Sequence, residues 1–287
     1  MLSKFNSLKK LTVLLTVFTF LIACDSQEDI VAPSEPQLPP SESMMPDFSL
    51  FSEMSKQGAT PEGGRVQTFL PNATIAYINY VVWNTLISID MALPVAAFSN
   101  SFNHEAEYDA ENEQWVWAYD VATGGDTYQA ELTGKIGDSS FLWEMYASKK
   151  GDEDFQRVLW FSGTSDFDER GGSWTIYRDA KSPKEHLQID WSKDEQSSFS
   201  IRFTSLDDAE GSGIPRGSYV EYLLDSSAEF DVLYNLFFVK NNDLPEDKLI
   251  EIRYNSASQE GGIRSMLDFK SEEWQCWNKQ FEDVACN

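Results

Sequence analysis

Histidine, cysteine and positive charge are all scarce in this chain. Its 287 residues include 2 His and 3 Cys, and 22 Lys and Arg stand against 47 Asp and Glu. Two imidazoles, His104 and His186, cannot furnish a multi-histidine metal centre, and neither lies beside a convincing nucleophile. There is no GxSxG elbow, phosphate-cradling glycine loop, HExxH or CxxC, so the common hydrolase, nucleotide, zinc and thiol-redox signatures are missing. The acidic excess repels phosphate backbones, which excludes nucleic acid as a partner. No cofactor and no metal is expected. Two acidic turns, DFDERGG (166–172) and LDDAEGSG (206–213), lack the third oxygen ligand and closing glutamate of a calcium loop, and read as solvated hairpins.

Also lacking near the start is an apolar run long enough to stay in a membrane. Residues 1–23 set Lys4, Lys9 and Lys10 before a stretch from Leu11 to Ala23. A basic region followed by a short apolar one is the pattern of an export signal, and a spanning helix needs roughly 20 apolar residues. The run closes on Leu21-Ile22-Ala23-Cys24, which resembles the lipobox of bacterial lipoproteins. That resemblance implies cleavage before Cys24, acylation of its thiol, and a membrane partner reached through the lipid. Residues 24–64, in which Cys24 is followed by DSQEDIVAPSEPQLPP (25–40), are rich in acid, serine and proline and are expected to form an extended tether. The expected address is the bacterial envelope, the outer membrane ahead of the inner. Asp25, Glu28 and Asp29 fit either inner-membrane retention or surface export. Without residues 1–23 the chain loses three lysines and no acid, for a net charge near −28.

With Cys24 assigned to lipid, Cys276 and Cys286 remain, in EWQCWNKQFEDVAC (273–286). In an oxidising, exported setting such a pair persists as a disulfide. Closing so short a loop contributes roughly 2.5–3 kcal/mol in the chain-entropy treatment.

What the chain has in quantity is aromatic and apolar residues, gathered in a body expected to be one β-rich domain at 65–287. Its first element, 72–102, carries a single charge, Asp90. Helical spacing sets Ile75, Ile78, Val82, Leu86, Ile89 and Leu93 on one stripe, with Ala76, Tyr80, Trp83, Ile87 and Met91 opposite. A helix apolar nearly all round belongs in a core or a bilayer. Asn79, Asn84, Asp90 and Pro94 favour a core helix, bent or broken near Pro94. From QWVWAYDV (114–121) to IRSMLDFK (263–270) run eleven strand-like segments separated by turn residues. Short links and no second helical pattern predict an antiparallel meander rather than βαβ units. The expected fold is mainly β (α+β): a large curved meander or half-barrel of about 10–11 strands packed around the 72–102 helix. In element order and composition it is similar to LolA/LolB-type half-barrels and, more loosely, to lipocalins, which implies a cradle for a hydrophobic ligand.

Trp143, Trp160, Trp174 and Trp191 recur on candidate strands. They suit an apolar pocket or a sugar-stacking surface, and equally the plain filling of a core. The leading expectation is a non-enzymatic lipoprotein binding a lipid or other hydrophobic small molecule. A surface-displayed glycan- or protein-binding module is the alternative. A hydrolase would require acids converging on His104 or His186. His186 is expected at the surface near a strand end, and His104 near the last carbonyls of the helix.

Overall fold

The computed structural model describes residues 33–45, 71–153, 155–178, 183–195, 198–207, 214–242 and 244–286. The expected export signal, Cys24 and the expected tether at 25–32 and 46–64 lie outside the described residues. A 3-10 turn at Ser41–Ser43 precedes one long helix, α1, at Asn72–Ser101. The sheet then begins with β1 (Glu107–Asp109), β2 (Gln114–Thr123), β3 (Asp126–Ile136), β4 (Ser140–Lys149) and β5 (Val158–Asp166). It continues with β6 (Gly171–Arg178), β7 (Lys184–Lys193), β8 (Phe199–Ser205), β9 (Tyr219–Leu224) and β10 (Val232–Phe238). After β11 (Lys248–Tyr254) and β12 (Gly261–Arg264) come the short helix α2 (Met266–Phe269), β13 (Gln275–Trp277) and β14 (Asp283–Val284).

The strands form a single sheet in sequence order from β1 to β14, with the two ends left open rather than closed into a barrel. The eleven expected segments are β2 to β12, and three strands of two or three residues extend the ends. The last expected segment stops short at Arg264, because Ser265 turns the chain into α2 by accepting from the Asp268 amide through its hydroxyl. That is the geometry of a helix N-cap.

Alternation along the strands gives the sheet one dry face and one wet face. On β2, Trp117, Tyr119 and Val121 are buried, while Ala118, Asp120 and Ala122 are exposed. The dry face packs on α1 in one hydrophobic core. Several of its tryptophans fold over a glycine on the neighbouring strand. Gly163 is the register partner of both Trp143 and Trp174, and a Cβ there would collide with the Trp174 ring. Removing the side chain at that point lets a large ring lie flat on the sheet.

α1 turns a different side to this core than its most regular stripe predicts. Ala76, Tyr80, Trp83, Ile87, Met91 and Phe98 are buried, whereas Val82 is 46% exposed. The rings of Tyr80, Trp83 and Phe98 carry more area to bury than the branched aliphatics opposite. Tyr80 meets Tyr234 edge-on at 5.5 Å between centroids, and Phe98 meets Trp174 at 5.3 Å. The helix bends by 69° between Asn72–Thr85 and Asp90–Ser101. Pro94 explains the bend one turn ahead of itself, since its ring presses on the Asp90 carbonyl and it has no amide to donate to it. Among the described residues no single helix is long and apolar enough to cross a membrane, although the two halves of α1 taken together have the length and composition.

Both ends of α1 are tied to the sheet. At its start the Asn72 amide donates to Asp283 Oδ1 at 2.8 Å, and its side chain donates to the Cys276 carbonyl at 3.2 Å. A carboxylate from β14 thus does the work of a missing local cap, at the helix end that favours negative charge. The Cys276–Cys286 disulfide closes β13 and β14 around that anchor. At the other end, Tyr119 of β2 donates to the Ala97 carbonyl at 2.7 Å, and burial pushes its phenol pKa up.

One stretch of the expected tether is part of the body. Ser43 and Met44 are buried, and Trp174 Nε1 donates to Ser43 Oγ at 3.2 Å. Prolines at 33, 36, 39 and 40 already restrict this backbone, so seating it costs less conformational entropy than a flexible chain would. The expectation of an extended tether therefore does not hold for 33–45.

Candidate functional site

The charged cluster at the bend of α1 is where acids and a histidine converge. Asp90 sits at the bend, Arg178 ends β6, Asp207 follows β8, and His186 belongs to β7. A bulge aims the histidine: Ile176 pairs with Leu187 and Tyr177 with Glu185, which leaves His186 as the extra residue. Bulges redirect a side chain in this way. His186 is 7% exposed, which corrects the expectation of a surface position.

The distances are short. His186 Nε2 lies 2.8 Å from Asp90 Oδ2, and Nδ1 lies 2.7 Å from Asp207 Oδ2. Arg178 reaches both Asp90 oxygens, at 3.0 and 3.1 Å, and Asp207 at 3.1 Å. Burial by itself lowers the His186 pKa, but the pairing with Asp90 and Asp207 outweighs it and the net shift is upward. Burial raises Asp90, and its hydrogen bonds to His186 and Arg178 more than reverse that, so its net shift is downward.

This arrangement suits holding better than catalysis. Nε2 lies between Asp90 Oδ2 and Arg178 Nη2, and Nδ1, buried and 2.7 Å from Asp207 Oδ2 without a hydrogen bond to it, is closed to solvent, so neither nitrogen is open to a substrate's proton. The carboxylates lie on opposite ring nitrogens and could not share one ion with the imidazole; among the described residues no group of three or more possible ligands is placed to hold a metal. The adjoining cavity, lined by Trp83, Ile87, Asp90, Arg178, Leu187 and Ser205 among others, measures only about 50 Å³. His104 stacks flat on Tyr119, with centroids 4.7 Å apart and planes 8° apart, well away from this cluster in the chain.

The four tryptophans singled out from the sequence do not form a site. Trp143, Trp174 and Trp191 are core residues, 1%, 0% and 3% exposed. Trp143 Nε1 donates to Ser165 Oγ at 2.9 Å. Trp160 is partly buried at a bulge in the β4–β5 pairing and packs on Phe155 at 5.2 Å. Trp174 turns to Phe98 of α1 and to Ser43, and Pro36 lies with Trp143 over Gly134. The disulfide is present as expected, with Trp277 on its inner side and Trp274 lying 4.6 and 4.8 Å from the guanidiniums of Arg253 and Arg264. DFDERGG makes the β5–β6 turn, where Arg170 pairs with Asp168 and Glu195.

Larger concavities lie on the wet face. One of about 460 Å³ runs across β2 to β6, lined by Gln114, Thr133, Lys135, Glu144, Ser162 and Thr164 with the exposed Leu142 and further hydroxyls. Thr164 and Ser173 hydroxyls lie 3.3 Å apart, and Ser162 and Tyr177 hydroxyls 3.0 Å apart, a row of groups that can each donate or accept. Nothing in the sequence marks this groove, because serine and threonine on the wet side of a strand are ordinary. Asp90 does leave a trace: a lone charge in an apolar helix needs a buried partner.

Comparison of the chain with protein-family models, with curated proteins and with solved structures finds no match.

Proposed function

We propose that this protein is a lipid-anchored lipoprotein of the bacterial envelope that acts without catalysis, as a binding module displayed on its tether. The carrying observation is that α1 packs against the dry face of the sheet, leaving about 50 Å³ beside the bend against about 460 Å³ on the wet face. A lipid held inside the curved sheet would have to displace the helix. A ligand on the wet face need displace only water. The hydroxyl, amide, Lys135 and Glu144 groups of the groove both donate and accept, and Leu142 offers an apolar patch, a combination suited to a sugar's hydroxyls and its C–H face. A glycan is therefore the favoured ligand class. The lipobox-like LIAC at 21–24 supports the anchor.

The test screens the mature chain, with Cys24→Ser for solubility, on a glycan array and titrates the best hit by calorimetry. Binding weakened about tenfold or more by Glu144→Gln with Thr164→Val supports the proposal, the size expected from losing one charge-assisted and one neutral hydrogen bond. Absence of any glycan binding removes it. Labelled palmitate incorporated by the full chain but not by Cys24→Ser tests the anchor separately.

A further inference from the structure

We propose that Asp90, Arg178, His186 and Asp207 form a proton-operated latch that clamps the bend of α1 to β6, β7 and the segment after β8. It is shut while His186 is charged and loosened on the helix side when His186 loses its proton.

The geometry requires such a response. The charged and titratable groups facing the ring are Asp90 from α1, Arg178 from β6 and Asp207 from beyond β8. With His186 protonated, two cations meet two carboxylates and the group is neutral. A neutral imidazole donates from only one nitrogen. Arg178 Nη2, 2.6 Å from Nε2, is a donor to it and so leaves the remaining proton on Nδ1, which lies 2.7 Å from Asp207 Oδ2 without a hydrogen bond to it; Nε2 is then the acceptor. The Nε2 lone pair then faces Asp90 Oδ2 at 2.8 Å, where the attraction had been. Asp90 is left to Arg178, whose side chain is 49% exposed and correspondingly screened. The element released is the bend of the helix, already weakened where Pro94 takes away a backbone hydrogen bond.

The pH window follows from the two shifts. His186 is raised above its ordinary 6.5, so its contribution is complete below 6.5 and is lost as pH rises through the folded value. Asp90 is lowered below its ordinary 3.8, so its contribution is complete above 3.8 and is lost only as pH falls through the folded value. The latch is therefore tight from about pH 4 to 6.5 and slackens on the alkaline side.

The experiment is an NMR titration of the mature chain from pH 5 to 9, with hydrogen exchange of residues 86–93 corrected for intrinsic rates. The latch predicts that the Ile87 and Met91 methyl signals follow the His186 titration curve, and that exchange at the bend rises roughly tenfold, the loss of one charge-assisted hydrogen bond. In His186→Gln, exchange should be equally fast at both ends of the range. Should that variant not fold, Asp90→Asn serves: it should lower the His186 pKa and abolish the methyl response. A His186 titrating below its ordinary 6.5, or a bend whose signals ignore its titration, overturns the proposal.

Discussion

The two faces of the sheet are built from the same strands and hold together differently. On the dry face, indoles lie over glycines, and Tyr80, Trp83 and Phe98 of α1 meet Tyr234, Phe238 and Trp174, so stability there comes from close-packed area. On the wet face, order comes from short polar contacts, such as Arg202 with Glu221 at 2.7 Å and Arg264 with both oxygens of Glu251 at 2.6 Å. The exposed pairs, such as Lys150 with Asp120, contribute little each and are easily exchanged, whereas the part-buried bidentate Arg264–Glu251 pair holds more firmly. The wet face can thus change its chemistry without endangering the fold, while the dry face cannot.

Substitution can break this contrast or sharpen it. Trp174→Ala should destabilise the body most, by about 3–5 kcal/mol, since it opens a cavity under α1 and orphans Ser43; urea unfolding followed by circular dichroism measures it. Opening the Cys276–Cys286 staple by Cys286→Ser should cost about 3 kcal/mol. The same change should speed exchange at the start of α1, whose first amide depends on Asp283. Equal exchange across 72–80 with and without the disulfide would show that the anchor does not depend on the staple. Leu142→Ser, on the wet face at 44% exposure, should leave the midpoint within about 0.5 kcal/mol. A larger loss there would mean that the wet face is part of the core after all.

Much of this contrast is legible in the residues alone. Alternation in segments such as QWVWAYDV marks the dry face of β2, and short turn-rich links determine the meander order. The buried side of α1 is not legible, because a helix apolar all round presents several stripes of similar strength and only the facing rings decide among them. His186 is hidden for another reason: its inward aim depends on one extra residue in the β6–β7 pairing, and bulges leave no pattern in a single strand. The groove is invisible since it is assembled from ordinary wet-face residues, many of them hydroxyls, of five strands. The seating of 33–45 is masked by a composition that reads as solvent-exposed.

The central claim is that α1 occupies the dry face of the sheet. Aromatic NOEs on the selectively labelled chain test it most directly, at the Tyr80–Tyr234 and Phe98–Trp174 pairs, whose centroids are 5.5 and 5.3 Å apart. Strong cross-peaks at both pairs, unchanged when detergent is added, are the predicted result. Their absence, with Tyr80 and Phe98 instead giving cross-peaks to detergent acyl chains, would contradict it.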